Sequence, residues 1–394
     1  MSGIKFLATK LVNRAVVRLS GPDTLPYIQT FLTNDLRHLI GGEDGRAHSM
    51  FSHLINSNAR TLCDLFVYKP SNEPTIVSME RNLVLAPFHV DTFGTGGRET
   101  DQILLECPRS LSVALSRLLF AMKVKRNIKI EQYDSHVWSL VPQDTSMWQE
   151  HMSRIPETSS EDMIVSRDPR LPFLGYRILS SLPIDSFSGL RSLLGLQPEE
   201  IEEASLQQYT KFRFRLGIGE GEVDHPEGLA YPLECNADFL NGLSFRKGMF
   251  TGDWVTGRNY RKGVKTRIMP IAFPDLDSKQ LDRHMVAPWT ELSLPDGEPI
   301  GIIRNRVDTY AIAAIQQRPL FNKCLKDKSF GKEMKLIHTI SGLPVLTWIP
   351  FWWQSFDRRL PSSETRVTSI PDGKQRISSL NGDSRFISSS SFKN

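Results

Sequence analysis

Short alternating runs of apolar residues, each closed by a turn signal, recur along most of this chain and point to a mixed α+β fold. Residues 11–20 alternate into V-V-R-L-S and stop at Gly21-Pro22-Asp23. Asp23 is placed to cap a helix over T-L-P-Y-I-Q-T-F-L, which Thr33-Asn34-Asp35 would close. Residues 47–55 and 60–68 read as paired strands about the turn Asn56-Ser57-Asn58. Beyond a loop at Gly94-Thr95-Gly96-Gly97, D-Q-I-L-L-E-C reads as a strand, 110–122 as an amphipathic helix and 127–131 as a strand. Residues 141–166 are polar and poorly periodic, and read as a loop. In D-P-R-L-P-F-L-G-Y-R-I-L, Pro169 and Pro172 punctuate the approach to a short strand, and a helix follows within 198–218. After Arg267, I-M-P-I-A-F, E-L-S-L-P-D-G-E-P-I-G-I-I and Y-A-I-A-A-I read as strands joined by tight turns, Pro295-Asp296-Gly297 being the strongest turn signal. Such strands over about eighty residues suggest a small barrel, which the aromatic patch 348–353 would close.

A chain of 394 residues predicts two or three domains, and 40% hydrophobic with 23% charged residues is ordinary for a globular protein. A net charge of +4 tolerates an anionic ligand without calling for nucleic acid, which would need a concentrated basic stripe. The densest basic cluster, Lys123, Lys125, Arg126 and Lys129, reads either as a solvated strand edge or as an RNA-binding patch. Cys63, Cys107, Cys235 and Cys324 are scattered, with no C-x-x-C or Cys/His ligand spacing. That argues against a disulfide framework and a structural metal, fits a reducing compartment, and offers no evident way to hold an iron–sulfur cluster alone. No apolar run is long enough to span a membrane, and no membrane partner is implied. Residues 1–10, basic and acid-free, are compatible with a short targeting segment. Residues 354–394 are rich in serine and poor in hydrophobics, and read as a disordered tail.

The stretch 241–258, N-G-L-S-F-R-K-G-M-F-T-G-D-W-V-T-G-R, carries the clearest sign of a site. It sets Lys247 and Arg258 around Gly248, Gly252 and Gly257, where backbone N–H groups can approach a ligand closely and the cations suit an acidic one. This run resembles the signature K-G-C-[aromatic]-x-G-Q-E-x-x-x-R of the folate-binding iron–sulfur assembly family. That family is related to the aminomethyltransferase (T-protein) of glycine cleavage. Met249 stands where the family has cysteine, and Asp253-Trp254 replaces Gln-Glu. Four further blocks follow in family order: R-A-V-V-R-L-S-G-P-D through F-L-T-N-D-L, then R-T-L-C-D-L-F-V-Y-K, then D-P-R-L-P-F-L-G-Y-R, then Y-T-K-F-R-F-R-L-G-I-G-E-G with P-L-E-C-N.

The resemblance implies a three-lobed aminomethyltransferase-like α+β fold around a central opening that holds tetrahydrofolate. Residues 11–269 would form the folate-binding region, with lobes at about 11–95 plus 200–269 and at 96–199, and residues 270–353 the C-terminal β-barrel. It places Asp64 where aminomethyltransferases aim a carboxylate at the reactive edge of folate; on residues alone Asp64 is equally a solvent-facing strand aspartate. Asn34 is a helix cap or a pocket amide, and Lys247 and Arg258 would pair with the glutamate carboxylates of folate or are plain surface cations. The glutamate of the aminomethyltransferase R-L-E-A-G motif has no counterpart in Arg215-Leu216-Gly217-Ile218-Gly219, and Glu220 or Glu222 would need a shifted loop to replace it. Methionine forms no thiolate, so no catalytic nucleophile and no metal ligand is evident at Met249, and Cys235 reads as a buried structural thiol. The function implied is an accessory factor for [4Fe–4S] cluster assembly in the mitochondrial matrix, acting with A-type iron–sulfur carrier proteins and [4Fe–4S] client enzymes. The alternatives are a tetrahydrofolate-dependent one-carbon transferase and a degenerate binding module of the same fold.

Overall fold

The computed structural model describes residues 5–40, 48–70, 101–144, 151–320 (without 152, 183, 185 and 275) and 333–353. The expectations for the Gly94–Gly97 loop, Cys324 and the 354–394 tail lie outside these residues. Two short strands, β1 (Phe6–Lys10) and β2 (Arg14–Ser20), lead into helices α1 (Thr24–Gln29) and α2 (Arg37–Ile40). Next come the hairpin β3 (Ser49–Ile55) and β4 (Thr61–Tyr68), then β5 (Gln102–Pro108), α3 (Ser112–Met122) and β6 (Lys129–Tyr133). All these strands except β1 form one sheet in the order β3-β4-β5-β2-β6. Val17, Leu19, Ile103, Leu105, Leu65 and Val67 put alternate side chains on its covered face, against α1 and α3.

A second sheet collects β1 with β7 (His136–Pro142), β8 (Thr158–Ser159), β9 (Met163–Arg167), β10 (Tyr176–Ser180) and β11 (Ile201–Glu203), in the order β11-β1-β7-β10-β9-β8. Helix α4 (Phe187–Leu194) precedes β11; the Ser186 hydroxyl caps its start and Gly195, left-handed at φ 63°, ends it. Helix α5 (Leu206–Arg215) opens with a reciprocal capping box between Ser205 and Gln208. After α6 (Asp253–Lys262) come β12 (Thr266–Ala272), α7 (Ser278–Arg283), β13 (Glu291–Ser293), β14 (Pro299–Val307), β15 (Tyr310–Gln316), β16 (Met334–His338) and β17 (Pro344–Thr347). These strands close a barrel in the order β12-β15-β14-β13-β16-β17. The barrel interior is aliphatic, with Ile271, Leu292, Ile303, Ala313, Leu336 and Val345 fully covered.

Several local expectations are corrected. Residues 6–10 of the supposed targeting segment form an internal strand, paired to β11 on one side and β7 on the other, with Phe6 and Ala8 wholly buried. The lobe boundary near residue 96 does not hold, because β5 and β6 flank β2 within the first sheet. The polar 141–166 stretch hides β8 and β9, whose buried Ile164 and Val165 pair with β10. Asp23 makes no capping hydrogen bond to α1; its carboxylate accepts from the Asn127 N–H at 2.7 Å, tying the helix start to the turn before β6. The aromatic patch does not simply close the barrel. Trp352 donates from Nε1 to the Leu216 carbonyl at 2.8 Å, Trp353 stacks near Phe239, and Phe351 meets Phe173. Trp352 thereby fastens the end of the barrel to the turn after α5, and Trp353 packs it against Phe239.

Candidate functional site

Asp64 lies on β4 with its side chain fully buried, not facing solvent. One oxygen accepts from Arg14 at 3.1 Å and the other from the Gly221 N–H at 3.0 Å. Gly221 adopts φ +84°, a conformation that costs glycine little and that turns its amide toward the carboxylate. Burial, the largest influence, would raise the Asp64 pKa, but Arg14 together with His225 and His53 outweighs it and holds the group ionised, below its ordinary value. His53 sits directly across the β3–β4 ladder, and the His225 ring centroid lies 6.3 Å from that of His53. Both imidazoles are buried and neutral: burial, and then the His225 neighbour, drives His53 down to about 3, and burial lowers His225 as well. Neither nitrogen of His53, nor Nδ1 of His225, has a hydrogen-bond partner among the described residues. Gly219 is required here, since a Cβ would stand 2.4 Å from the His225 ring.

Around this group runs a continuous lattice of buried ions. Glu106 on β5 accepts from Arg14 at 2.7 Å, from Arg177 at 2.5 and 2.9 Å, and from the Tyr68 hydroxyl at 2.7 Å. Glu220 accepts from Arg170 at 2.7 Å, Tyr209 at 2.9 Å and Arg177 at 3.3 Å. Asp168 holds Arg170 through both oxygens, at 2.9 and 2.7 Å. Asp224 accepts from Arg213, from the Glu220 N–H, and from the Asn305 amide of the barrel. The Phe66 ring lies among the guanidinium groups, 3.7 Å from Arg177 and 4.8 Å from Arg170. Every carboxylate is met by at least one arginine, which is the condition for keeping such charges out of water. Burial opposes ionisation of Glu220, yet Arg177, Arg170, Arg213 and Arg14 together hold it well below the usual range. Both sheets, the α5 region and the barrel contribute members, so the lattice is the joint of the molecule.

The 241–258 loop lies beside this joint. Lys247 is buried, and its ammonium donates to the Gln29 carbonyl at 2.5 Å and to the Leu32 carbonyl, closing the end of α1. Burial lowers its pKa to about 7. Asn34 is not a cap: its amide donates to Phe51 at 2.9 Å and to Asn241 at 2.7 Å, joining β3 to the loop. Thr33 bonds both the His53 backbone and the Gly242 carbonyl, at 2.9 and 2.7 Å. Asn241 in turn donates to the Arg170 carbonyl at 3.0 Å. Gly252, at φ +77°, starts α6 where a Cβ would press on Ala59 at 2.9–3.0 Å. Gly248, at φ +90°, meets nothing within 4 Å. Met249 projects into solvent, 88% exposed, and Arg258 lies outside over the Trp254 ring at 5.4 Å.

Asn34, Lys247, Gly248 and Gly252 are therefore brought together, with Asp64 one strand pair inward and Arg258 on the far, solvent side. Cys235 is buried, and burial pushes its thiol pKa up. Glu220, not Glu222, is the loop acid that reaches the interior. Sequence reasoning missed Arg14, His53, Glu106, Arg170, Arg177 and His225. The available signal was a lone charge inside an apolar strand run, as in Q-I-L-L-E-C and Y-R-I-L.

No protein-family model matches the chain. The mouse mitochondrial iron-sulfur cluster assembly factor IBA57 is 32% identical over 279 residues, covering 68% of this chain and 67% of that protein. Its human counterpart is 25% identical over 364 residues, covering 91% and 88%. Among solved structures, the glycine cleavage system aminomethyltransferase T from Bartonella henselae superposes with a TM-score of 0.58 at 12% identity, over 89% of this chain and 87% of that one. The expected aminomethyltransferase-like fold with a C-terminal barrel is thus the fold observed. The chain belongs to the IBA57 family of mitochondrial iron–sulfur cluster assembly factors.

Proposed function

We propose that this protein is a folate-binding accessory factor for [4Fe–4S] cluster assembly in the mitochondrial matrix, acting by binding rather than by turnover. The observation that carries the reading is the buried trio of ionised Asp64 with neutral His53 and His225. Buried ring nitrogens without partners are costly unless a ligand supplies the missing hydrogen bonds. A reduced pterin, with N–H donors and carbonyl and ring-nitrogen acceptors on one edge, complements one carboxylate and two neutral imidazoles. Asp64 would accept from the pterin, and His53 would both donate and accept. Lys247 acts through the loop that it holds, since its ammonium is engaged with two carbonyls.

Met249 has no proton to lose, so the exposed loop tip contributes shape and an apolar surface instead of a thiolate. The cluster is cargo in this reading, delivered through A-type carriers to [4Fe–4S] client enzymes. Rescue of aconitase activity in cells depleted of their own family member tests the assembly role. Calorimetry with tetrahydrofolate on the purified chain tests the ligand: Asp64→Asn and His53→Phe should each weaken binding about tenfold or more, the cost of one buried charged or polar contact. Failure of rescue by a folded, imported chain would remove the assembly role, and an undiminished affinity in both variants would remove the pterin site.

A further inference from the structure

Helix α3 is apolar on both faces, although only one is buried. Leu115 and Leu119 pack inward, whereas Val113, Leu118 and Phe120 face solvent, Phe120 being 62% exposed. The turn that follows raises Val124 to 80% exposure at φ +50°, a left-handed conformation that strains a β-branched residue. Hydrogen bonds hold the turn in that shape. Lys123 donates to the Ile128 carbonyl at 2.8 Å, the Arg126 N–H to the Lys123 carbonyl at 3.0 Å, and the Asn127 N–H to Asp23.

Around this apolar ridge the sequence carries Arg109, Arg117, Lys123, Lys125, Arg126 and Lys129, with no acid between Glu106 and Glu131. Glu106 is wholly buried and neutralised by Arg14 and Arg177, and Glu131 pairs with Arg18 and Lys129 at the rim. From the neighbouring α1 start, Asp23 is engaged by the Asn127 N–H.

We propose that the outer ridge of α3 and the 123–129 turn form a peripheral docking surface for an anionic phospholipid bilayer. Protruding apolar tips with the exposed cations Lys125 and Arg126 beside them match such an interface, where the tips enter the acyl boundary and the cations meet lipid phosphates. Nucleic acid would engage the cations but gives Phe120 and Val124 nothing to bury in. A protein groove would need to surround a helix, yet α3 is half sunk in its own sheet, against β6 and β2. No helix among the described residues is long and apolar enough to cross a membrane, so the contact is superficial. It is independent of the ligand site in the interior.

The test is co-sedimentation of the full chain with vesicles of phosphatidylcholine alone or mixed with phosphatidylglycerol. Binding should require the anionic lipid and weaken with salt. Lys125→Ala with Arg126→Ala should lower the affinity about thirtyfold. Phe120→Ser should lower it about tenfold while leaving the salt dependence intact. All three positions are exposed, and unchanged thermal melts would confirm that the variants fold. Absence of binding to mixed vesicles overturns the proposal. So does binding that Phe120→Ser leaves unaltered, or binding to a single-stranded oligonucleotide in place of vesicles.

Discussion

The joint between the two sheets and the interior of the C-terminal barrel are both buried, yet opposite means hold them. The joint is an ion lattice in which Arg14, Arg170 and Arg177 thread among Asp64, Glu106, Asp168 and Glu220. The barrel is closed by aliphatic residues such as Ile271, Ile303, Leu336 and Val345. Apolar packing is tolerant, because neighbours partly relax around a lost methyl. A buried ion lattice tolerates little, because each member removed leaves a charge stranded in a medium that cannot solvate it. The joint therefore fixes the relative placement of parts with a specificity that the barrel does not need.

The largest effect should come from breaking the lattice at its most connected acid. Glu106→Gln is expected to cost about 3–5 kcal/mol in denaturant unfolding, as for other buried pairs that lose one partner. A loss under about 1 kcal/mol would show that the joint is hydrated and the contrast with the barrel false. In the barrel, Ile303→Ala should cost about 2–4 kcal/mol and Ile303→Val only about 1 kcal/mol, a graded response that no single lattice substitution should give.

Acid sharpens the contrast further. His53 falls from 6.5 to about 3 on folding, chiefly through burial, so the unfolded chain takes up its proton first as pH drops. The His53 contribution is fully present above about pH 6.5 and is lost on descending toward pH 3, with a slope of about 1.4 kcal/mol per pH unit. The depressed carboxylates Asp64, Glu106 and Glu220 act in the same direction at lower pH, below their ordinary values. His53→Phe should make the curve shallower between pH 6 and pH 4, leaving the fall that the likewise depressed His225 contributes, seen as urea midpoints that drop less steeply with pH than those of the unaltered chain. The smallest effect belongs to a half-exposed pair. Arg18→Ala, which loses Glu131 at the sheet edge, should shift stability by less than about 1 kcal/mol, and high salt should erase the difference.

The same contrast explains what could be read from residue order. Barrel strands alternate with period two and end at signals such as Pro295-Asp296-Gly297, so their pattern is local and visible. The 241–258 loop was visible because its glycines and cations are crowded into one stretch. The lattice is assembled from positions 14, 64, 106, 168, 170, 177 and 220, and no local pattern announces that an arginine and a glutamate ninety residues apart share a hydrogen bond. His53 was hidden for the same reason, since its role follows only from the register that sets it opposite Asp64. Lys247 stands out in the sequence as a cation of the glycine-rich loop, but its reach to the end of α1 is a tertiary fact. The β8–β9 pair escaped notice because Ile164 and Val165 sit in a run too short for its alternation to stand out from polar neighbours.

The position of β1 has a consequence in time. Its partner β11 lies far along the chain, with Phe6 matched to Ile201, so this sheet cannot close until the first half of the polypeptide has been made. At ordinary synthesis rates that wait is roughly 10–40 s. Until β7 has been made F-L-A-T-K is an apolar strand with both edges unpaired, and from then until β11 follows one edge stays open. An open apolar edge invites wrong pairing, so the late arrival of β11 leaves this sheet exposed to misassembly while the chain is incomplete.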